Sequence, residues 1–273
     1  MLRTALLLTV ICFHVVTFSL YSGVPVAGDE LEAYSGVSLS LQDDSVTTID
    51  DILILVFTGR NTRDRLHALL DTWLRHVPPT SFMVYSDEDN TFFPNVVNVG
   101  GVQEDHFMST KVPNGILDAW RRFPSKKWFY KVDDDTFVHV HNLVKALNQY
   151  NWTDVQYIGH RMEIDEFVDC NGGAGYVFSR RLMEEFMPLY ERCMTVECGR
   201  PAEDQCTAIC IRKYFRRECE DHIGFNTHPN EQAKRAPDCK SQCISVHSVL
   251  SGHVYHLYRE WYNNTPPLTS YVR

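Results

Sequence analysis

Three consecutive carboxylates, Asp133-Asp134-Asp135, follow directly on the segment Lys127-Trp128-Phe129-Tyr130-Lys131-Val132. Adjacent carboxylates repel one another unless cations or hydrogen bonds compensate. Their oxygens favour hard divalent ions such as Mg²⁺ or Mn²⁺, which commonly complete their coordination shell with substrate phosphates. Two readings follow: a metal held against a diphosphate, or an acidic turn that caps the next helix. Downstream, Asn171-Gly172-Gly173-Ala174-Gly175 forms a turn whose glycines permit close backbone approach to a ligand. His139 and His141 form an H-x-H pair, read here as surface or helix-start residues.

The elements that must carry these groups can be read from periodicity. Asp51 to Thr58 is an almost continuous apolar run, the pattern of a strand covered on both faces. A helix follows, with Thr62 as N-cap candidate and Leu66, Leu69, Leu70, Trp73 and Leu74 at helical spacing up to Pro78. Residues 81–86 and 96–99 read as strands, 105–123 as a helix disturbed by Pro113, and 127–132 as the strand that ends in the aspartates. A helix at 141–149, a strand near 155–158, and helices at 180–192 and 204–215 complete the alternation. This pattern predicts an α/β fold, an open sheet with helices on both faces. Ligands of such sheets bind beyond the carboxyl ends of the strands, where the aspartates fall.

Composition narrows the setting. Thirty-five acidic against 26 basic residues give a net charge of −9, which excludes a general nucleic-acid-binding face. Of nine cysteines, eight fall after residue 169: Cys170, Cys193, Cys198, Cys206, Cys210, Cys219, Cys239 and Cys243. An even set confined to one half predicts a disulfide-stapled C-terminal portion of open connectivity. Structural zinc is the rival, because Cys206/Cys210 and Cys239/Cys243 are both spaced C-x3-C. Residues 1–20 form a mostly apolar stretch, read as a signal-anchor or a cleaved signal peptide. Residues 21–48 read as a short stem, 49–265 as the ordered domain and 266–273 as a tail. Sequons at Asn151 and Asn263 suit a lumenal chain.

The segment WFYKVDDDTFVHVHNL resembles the strand and DDD motif of Fringe-like glycosyltransferases. These are β-1,3-glycosyltransferases of family 31 in the GT-A superfamily, which also contains the core 1 galactosyltransferases. DILILVFTGRNTRDRLHALLDTW resembles the family's first strand and Arg-bearing helix, and FMVYSDED its second strand. NGGAGYVFSRRL resembles its GGAG turn, AEDQCTAICI the start of its catalytic helix, and FNTHPN its late His motif. The Glu203-Asp204 pair is closer to the core 1 enzymes, and the segment between Gly159 and Asn171 is shorter than in Fringe proteins.

Carried over residue by residue, the resemblance implies a Rossmann-like mixed sheet and a Mn²⁺ ion ligated by Asp135 and His228, with His247 as the rival ligand. Asp133 would approach the donor nucleoside, and Asp134 would lie between it and Asp135, supporting either. Asp204, 24 residues before His228, would be the general base. Thr58 would line the nucleotide cleft, Asp87 would meet the uracil or ribose, Arg63, Arg65 and Lys111 would meet the diphosphate, and Gly172 and Gly173 the donor sugar. The implied reaction is inverting transfer of galactose or N-acetylglucosamine from a UDP-sugar to an O-glycan or glycoprotein acceptor in the Golgi or ER lumen. A homodimer is compatible with the residues but not specified by them. The competing reading is a catalytically silent relative that binds sugar or a partner protein.

Overall fold

A computed structural model describes residues 45–263, except 90–92, 94, 101–109, 165–166, 230–234 and 237. The apolar stretch at 1–20, the stem and the tail lie outside the described residues. Among the described residues no helix is long and apolar enough to cross a membrane.

The central sheet contains strands β1 (Ile52–Phe57), β2 (Phe82–Ser86), β3 (Val96–Asn98), β4 (Trp128–Asp133), β6 (Tyr157–Gly159), β9 (Tyr176–Ser179) and β10 (Glu220–Asp221), in the order β10-β6-β9-β4-β1-β2-β3. Strands β4, β1, β2 and β3 run parallel, whereas β9 is antiparallel to both β4 and β6. All six residues of β1 are buried, as the continuous apolar run requires.

Alternation along β1 then builds two cores. Ile52, Ile54 and Val56 face α1 (Arg63–Asp71), α3 (Val140–Leu147) and the C-terminal helix α6 (Ser251–Trp261) through Leu66, Leu69, Leu143, Leu147 and Trp261. Leu53, Leu55 and Phe57 face α2 (Lys111–Arg122), α4 (Arg180–Arg192) and α5 (Glu203–Phe215) through Ile116, Leu182, Phe186 and Ile211. The α/β architecture with helices on both faces is therefore present.

Boundaries shift where local chemistry outweighs periodicity. Helix α1 stops at Asp71, and Trp73–His76 continues as a 3-10 turn. Thr62 flanks α1 without capping it, because its hydroxyl bonds the Gly59 carbonyl and Asp134. Pro113 sits in the first turn of α2, where a missing N–H has no helical partner to lose. His139, read as a surface or helix-start residue, stands at the helix start as a buried N-cap that accepts a bond from the Asn142 amide.

Two small units escaped the pattern. Strands β7 (Arg161–Ile164) and β8 (Phe167–Cys170) form an antiparallel hairpin against α5. Strands β11 (Phe225–Asn226), β12 (Ser245–Val246) and β5 (Phe137–Val138) form a three-stranded sheet. All eight downstream cysteines pair, as Cys170–Cys219, Cys193–Cys210, Cys198–Cys206 and Cys239–Cys243. The zinc reading is thereby overturned, since Cys206 and Cys210 belong to different bridges and Cys239 and Cys243 bond each other.

Candidate active site

The three aspartates point in three directions. Asp133, the last residue of β4, pairs with the buried Lys131 ammonium at 2.7 Å. Strand alternation puts positions 131 and 133 on one face, a signal in the sequence that marks this lysine as the partner of Asp133. Burial pushes the Asp133 carboxyl up, against the opposing pull of Lys131. Asp134 turns inward and accepts hydrogen bonds from the hydroxyls of Thr58 and Thr62. Arg65 Nη1 bridges Asp134 at 3.1 Å and Asp135 at 3.2 Å. Burial acts to raise Asp135, but the hydrogen bond from His247 and the nearby Arg65 charge hold it below the usual carboxylate range.

His247 follows β12, and its Nε2 lies 3.2 Å from Asp135 Oδ1. The Nδ1 atom donates to the Thr227 carbonyl at 3.1 Å, so both ring nitrogens carry a proton while Nε2 donates to Asp135, and a metal would take the Nε2 lone pair by displacing that proton. Burial lowers the imidazole's proton affinity, but Asp135 and Asp133 together raise it above the ordinary histidine value. One donor atom each from Asp133, Asp135 and His247 falls within a 4.8 Å group, a set of hard oxygens and one imidazole that fits a divalent metal ion. His228 is exposed beside this group, with its ring centre 6.2 Å from that of His247. The parallel pairing Phe225↔Ser245 and Asn226↔Val246 sets this arrangement: the FNTH segment brings a carbonyl to His247 and leaves its own imidazole outside the donor group.

The residues expected around a nucleotide converge at the carboxyl ends of β1 and β2. Lys111 Nζ donates to the Thr58 carbonyl at 2.8 Å, and the Arg60 amide donates to Asp87 at 2.9 Å. The space beside Gly59 separates these groups, since a β-carbon there would sit 3.3 Å from Lys111 Nζ and 3.5 Å from Asp87. Arg63 is drawn elsewhere. Its guanidinium is paired with Glu88 at the exposed rim, whereas Arg65 reaches the aspartates.

The glycine turn closes the opposite wall. Gly172 donates its amide to Asp204 Oδ2 at 2.9 Å and accepts from Lys131 Nζ at 2.9 Å through its carbonyl. Gly173 packs against the His247 ring so closely that a β-carbon would stand 2.4 Å from Cε1. Gly175 has φ +84°, a conformation that L side chains rarely adopt. Beside Asp204, Glu203 is buried and accepts from Tyr176 Oη at 2.6 Å and Thr207 Oγ1 at 2.7 Å. Burial, opposed by Lys131, pushes Glu203 up to about 7. Two adjacent carboxylates thus have different tasks: Glu203 is tied into the core, and the half-buried Asp204 is aimed at the turn.

An open mixed sheet with this donor set at its strand ends defines a protein of the GT-A fold class. The chain belongs to the Fringe-like family, whose pattern matches residues 47–251. It is 29% identical over 165 residues to a Xenopus laevis β-1,3-N-acetylglucosaminyltransferase lunatic fringe, covering 52% of this chain and 43% of the relative. It is also 29% identical over 142 residues to a Xenopus laevis glycoprotein-N-acetylgalactosamine 3-β-galactosyltransferase 1, covering 50% and 38%. The chain spans less than half the length of these curated relatives. Among solved structures, the glycosyltransferase GlyE of Streptococcus pneumoniae superposes with a TM-score of 0.51 at 9% identity, over 81% of this chain and 67% of that one. That likeness concerns the fold alone.

Proposed function

We propose that this protein is an inverting glycosyltransferase that moves galactose or N-acetylglucosamine from a UDP-sugar to an O-glycan or glycoprotein acceptor through a β-1,3 linkage. One observation carries the reading. The Asp204 carboxylate is bonded to the Gly172 amide, and the Gly172 carbonyl is bonded to Lys131, which pairs with Asp133 of the donor set. A candidate base and a candidate metal site therefore share one hydrogen-bonded chain, which fixes their separation.

In the proposed reaction, the acceptor hydroxyl attacks the anomeric carbon while the nucleotide diphosphate leaves, and Asp204 takes the acceptor proton. A single displacement needs one base, not the acid and nucleophile pair of retaining glycosidases. A divalent ion held by Asp133, Asp135 and His247, with His228 at the rim, would offset negative charge on the departing diphosphate. Lys111, Arg65 and Arg63 supply positive charge on the nucleotide side, and Thr58, Asp87 and Asp134 shape its floor. Gly172 and Gly173 admit the donor sugar. Four disulfides support residence in the oxidising lumen of the secretory pathway, where an N-terminal anchor would place it.

The test is UDP release by the full-length protein, made in an oxidising host and supplied with UDP-sugars and acceptors in Mn²⁺ or EDTA. Turnover that requires Mn²⁺ and falls about 10²–10⁴-fold in Asp204→Asn is expected. Folded protein that binds UDP with Mn²⁺ but turns over no donor would favour the catalytically silent relative. Absence of UDP binding would overturn the site.

A further inference from the structure

Asp169 is the penultimate residue of β8, three positions before the glycine whose amide holds Asp204. It is 1% exposed, and its Oδ1 has no hydrogen-bond partner among the described residues. A fully buried carboxylate without a cation or donor is costly, so such a group either finds a partner or keeps its proton. Glu203 shows the contrast, being equally buried but satisfied by two hydroxyl donors.

Among the described residues no cation is paired with Asp169, and its own backbone amide is the one donor that opposes its burial. From α5 the charge of Asp204 acts on it, and from β6 it is faced by Tyr157, whose hydroxyl accepts the Cys170 amide at 3.1 Å. On the partner strand Asp169 stands opposite Met162, so Arg161 and Glu163 project from the other side of the hairpin. Arg161 there pairs with Glu218 at 3.3 Å. Buried His160 precedes β7, and its carbonyl accepts the Asn171 amide. The Cys170–Cys219 disulfide pins the neighbouring residue, so the hairpin is tethered where Asp169 enters the core.

Taking Asp204 as the base proposed above, we propose that Asp169 is a positioning residue that stays protonated beside it, leaving Asp204 the one ionised carboxylate on that face of the glycine turn. During transfer the acceptor proton goes to Asp204 and then to solvent, while Asp169 keeps its own. Burial first, and the Asp204 charge second, push the Asp169 carboxyl up to about 7. Above that pH a second, unpaired charge forms behind the turn and repels Asp204 from the Gly172 amide.

The sign for stability follows. A carboxyl titrating near 7 in the fold and near 4 when unfolded binds more protons in the native state. Its penalty is absent at low pH, grows as pH rises from about 4 to about 7, and is constant above.

The experiment compares full-length wild type with Asp169→Asn, a neutral isostere, by thermal midpoint at pH 5 and pH 8 and by kcat across pH 6–8.5. The variant should gain about 5 °C or more over wild type at pH 8 and much less at pH 5. Its kcat should be flat where wild type falls about tenfold, the response expected when only the protonated form is active. Parallel stability curves or superimposable profiles overturn the proposal. So does a folded variant that is inactive at every pH, because the negative charge itself would then be needed. If the asparagine variant does not accumulate, Asp169→Ser makes the same comparison. The thermal comparison needs no turnover, so its failure is distinguishable from failure of the transferase reading.

Discussion

His247 Nε2 lies 3.2 Å from Asp135 Oδ1, while its Nδ1 faces the carbonyl of Thr227, the residue immediately before His228. One histidine is thus aimed by the backbone that carries the other. The arrangement ranks the two as ligands. Replacing His247 with Ala should weaken Mn²⁺ binding about 100-fold or more, whereas His228→Ala should cost less than about tenfold. Calorimetric titration of each variant with Mn²⁺ in the presence of UDP decides between them, and the reverse order would return His228 to the donor set.

Gly173 is a second control point. A β-carbon there would lie 2.4–2.7 Å from three atoms of the His247 ring, so Gly173→Ala must displace the imidazole. Overpacking of this kind costs about 1–3 kcal/mol, small enough to leave the protein folded. Mn²⁺ affinity should fall at least tenfold with circular dichroism unchanged. Unaltered affinity would show that the ring tolerates the shift.

Acid should destabilise the face opposite the β7–β8 hairpin. His139 stacks on Tyr262 with ring centres 5.0 Å apart, and His76 lies 4.4 Å from the same ring. Tyr262 donates to the Val138 carbonyl and accepts the Val140 amide, so it ties the end of α6 to the start of α3. Burial, helped by the charge of His141, holds both histidines down at about 4. Unfolding raises them to about 6.5, so the unfolded state binds more protons and stability falls as pH drops from about 6.5 to about 4. The buried His139 alone accounts for up to about 3 kcal/mol. Denaturant midpoints at pH 7 and pH 4.5 should show a loss that His139→Gln reduces, and equal losses in the two proteins would refute the assignment.

The disulfides should differ in worth. Cys170–Cys219 spans 49 residues and Cys239–Cys243 spans 4. Loop-closure entropy assigns about 4 kcal/mol to the first and about 2 kcal/mol to the second. Double Cys→Ser variants of each pair, compared by thermal unfolding, should keep that order. The first should also lower turnover, because Cys170 lies two residues before Gly172.

The sequence alone determined the alternation of strands and helices, because a buried parallel strand must be apolar throughout and a two-sided helix layer must be periodic. It also placed the DDD carboxylates at the carboxyl end of β4, since the apolar strand ends there, whereas the GGAG turn and Asp204 were joined to them only by the resemblance to Fringe-like enzymes. The resemblance put His228 first and His247 second as ligand, and the sequence alone could not show that a two-residue parallel pairing between β11 and β12 brings His247 into the donor group. Nor could it divide Arg63 from Arg65, two residues apart on one helix and sent by the helical turn to Glu88 and to the aspartates. The β7–β8 hairpin, the cysteine pairing and the isolation of Asp169 were likewise decided only in three dimensions. Each depends on which groups distant in the chain are brought together, and on whether the space between them holds a cation, a donor or nothing at all.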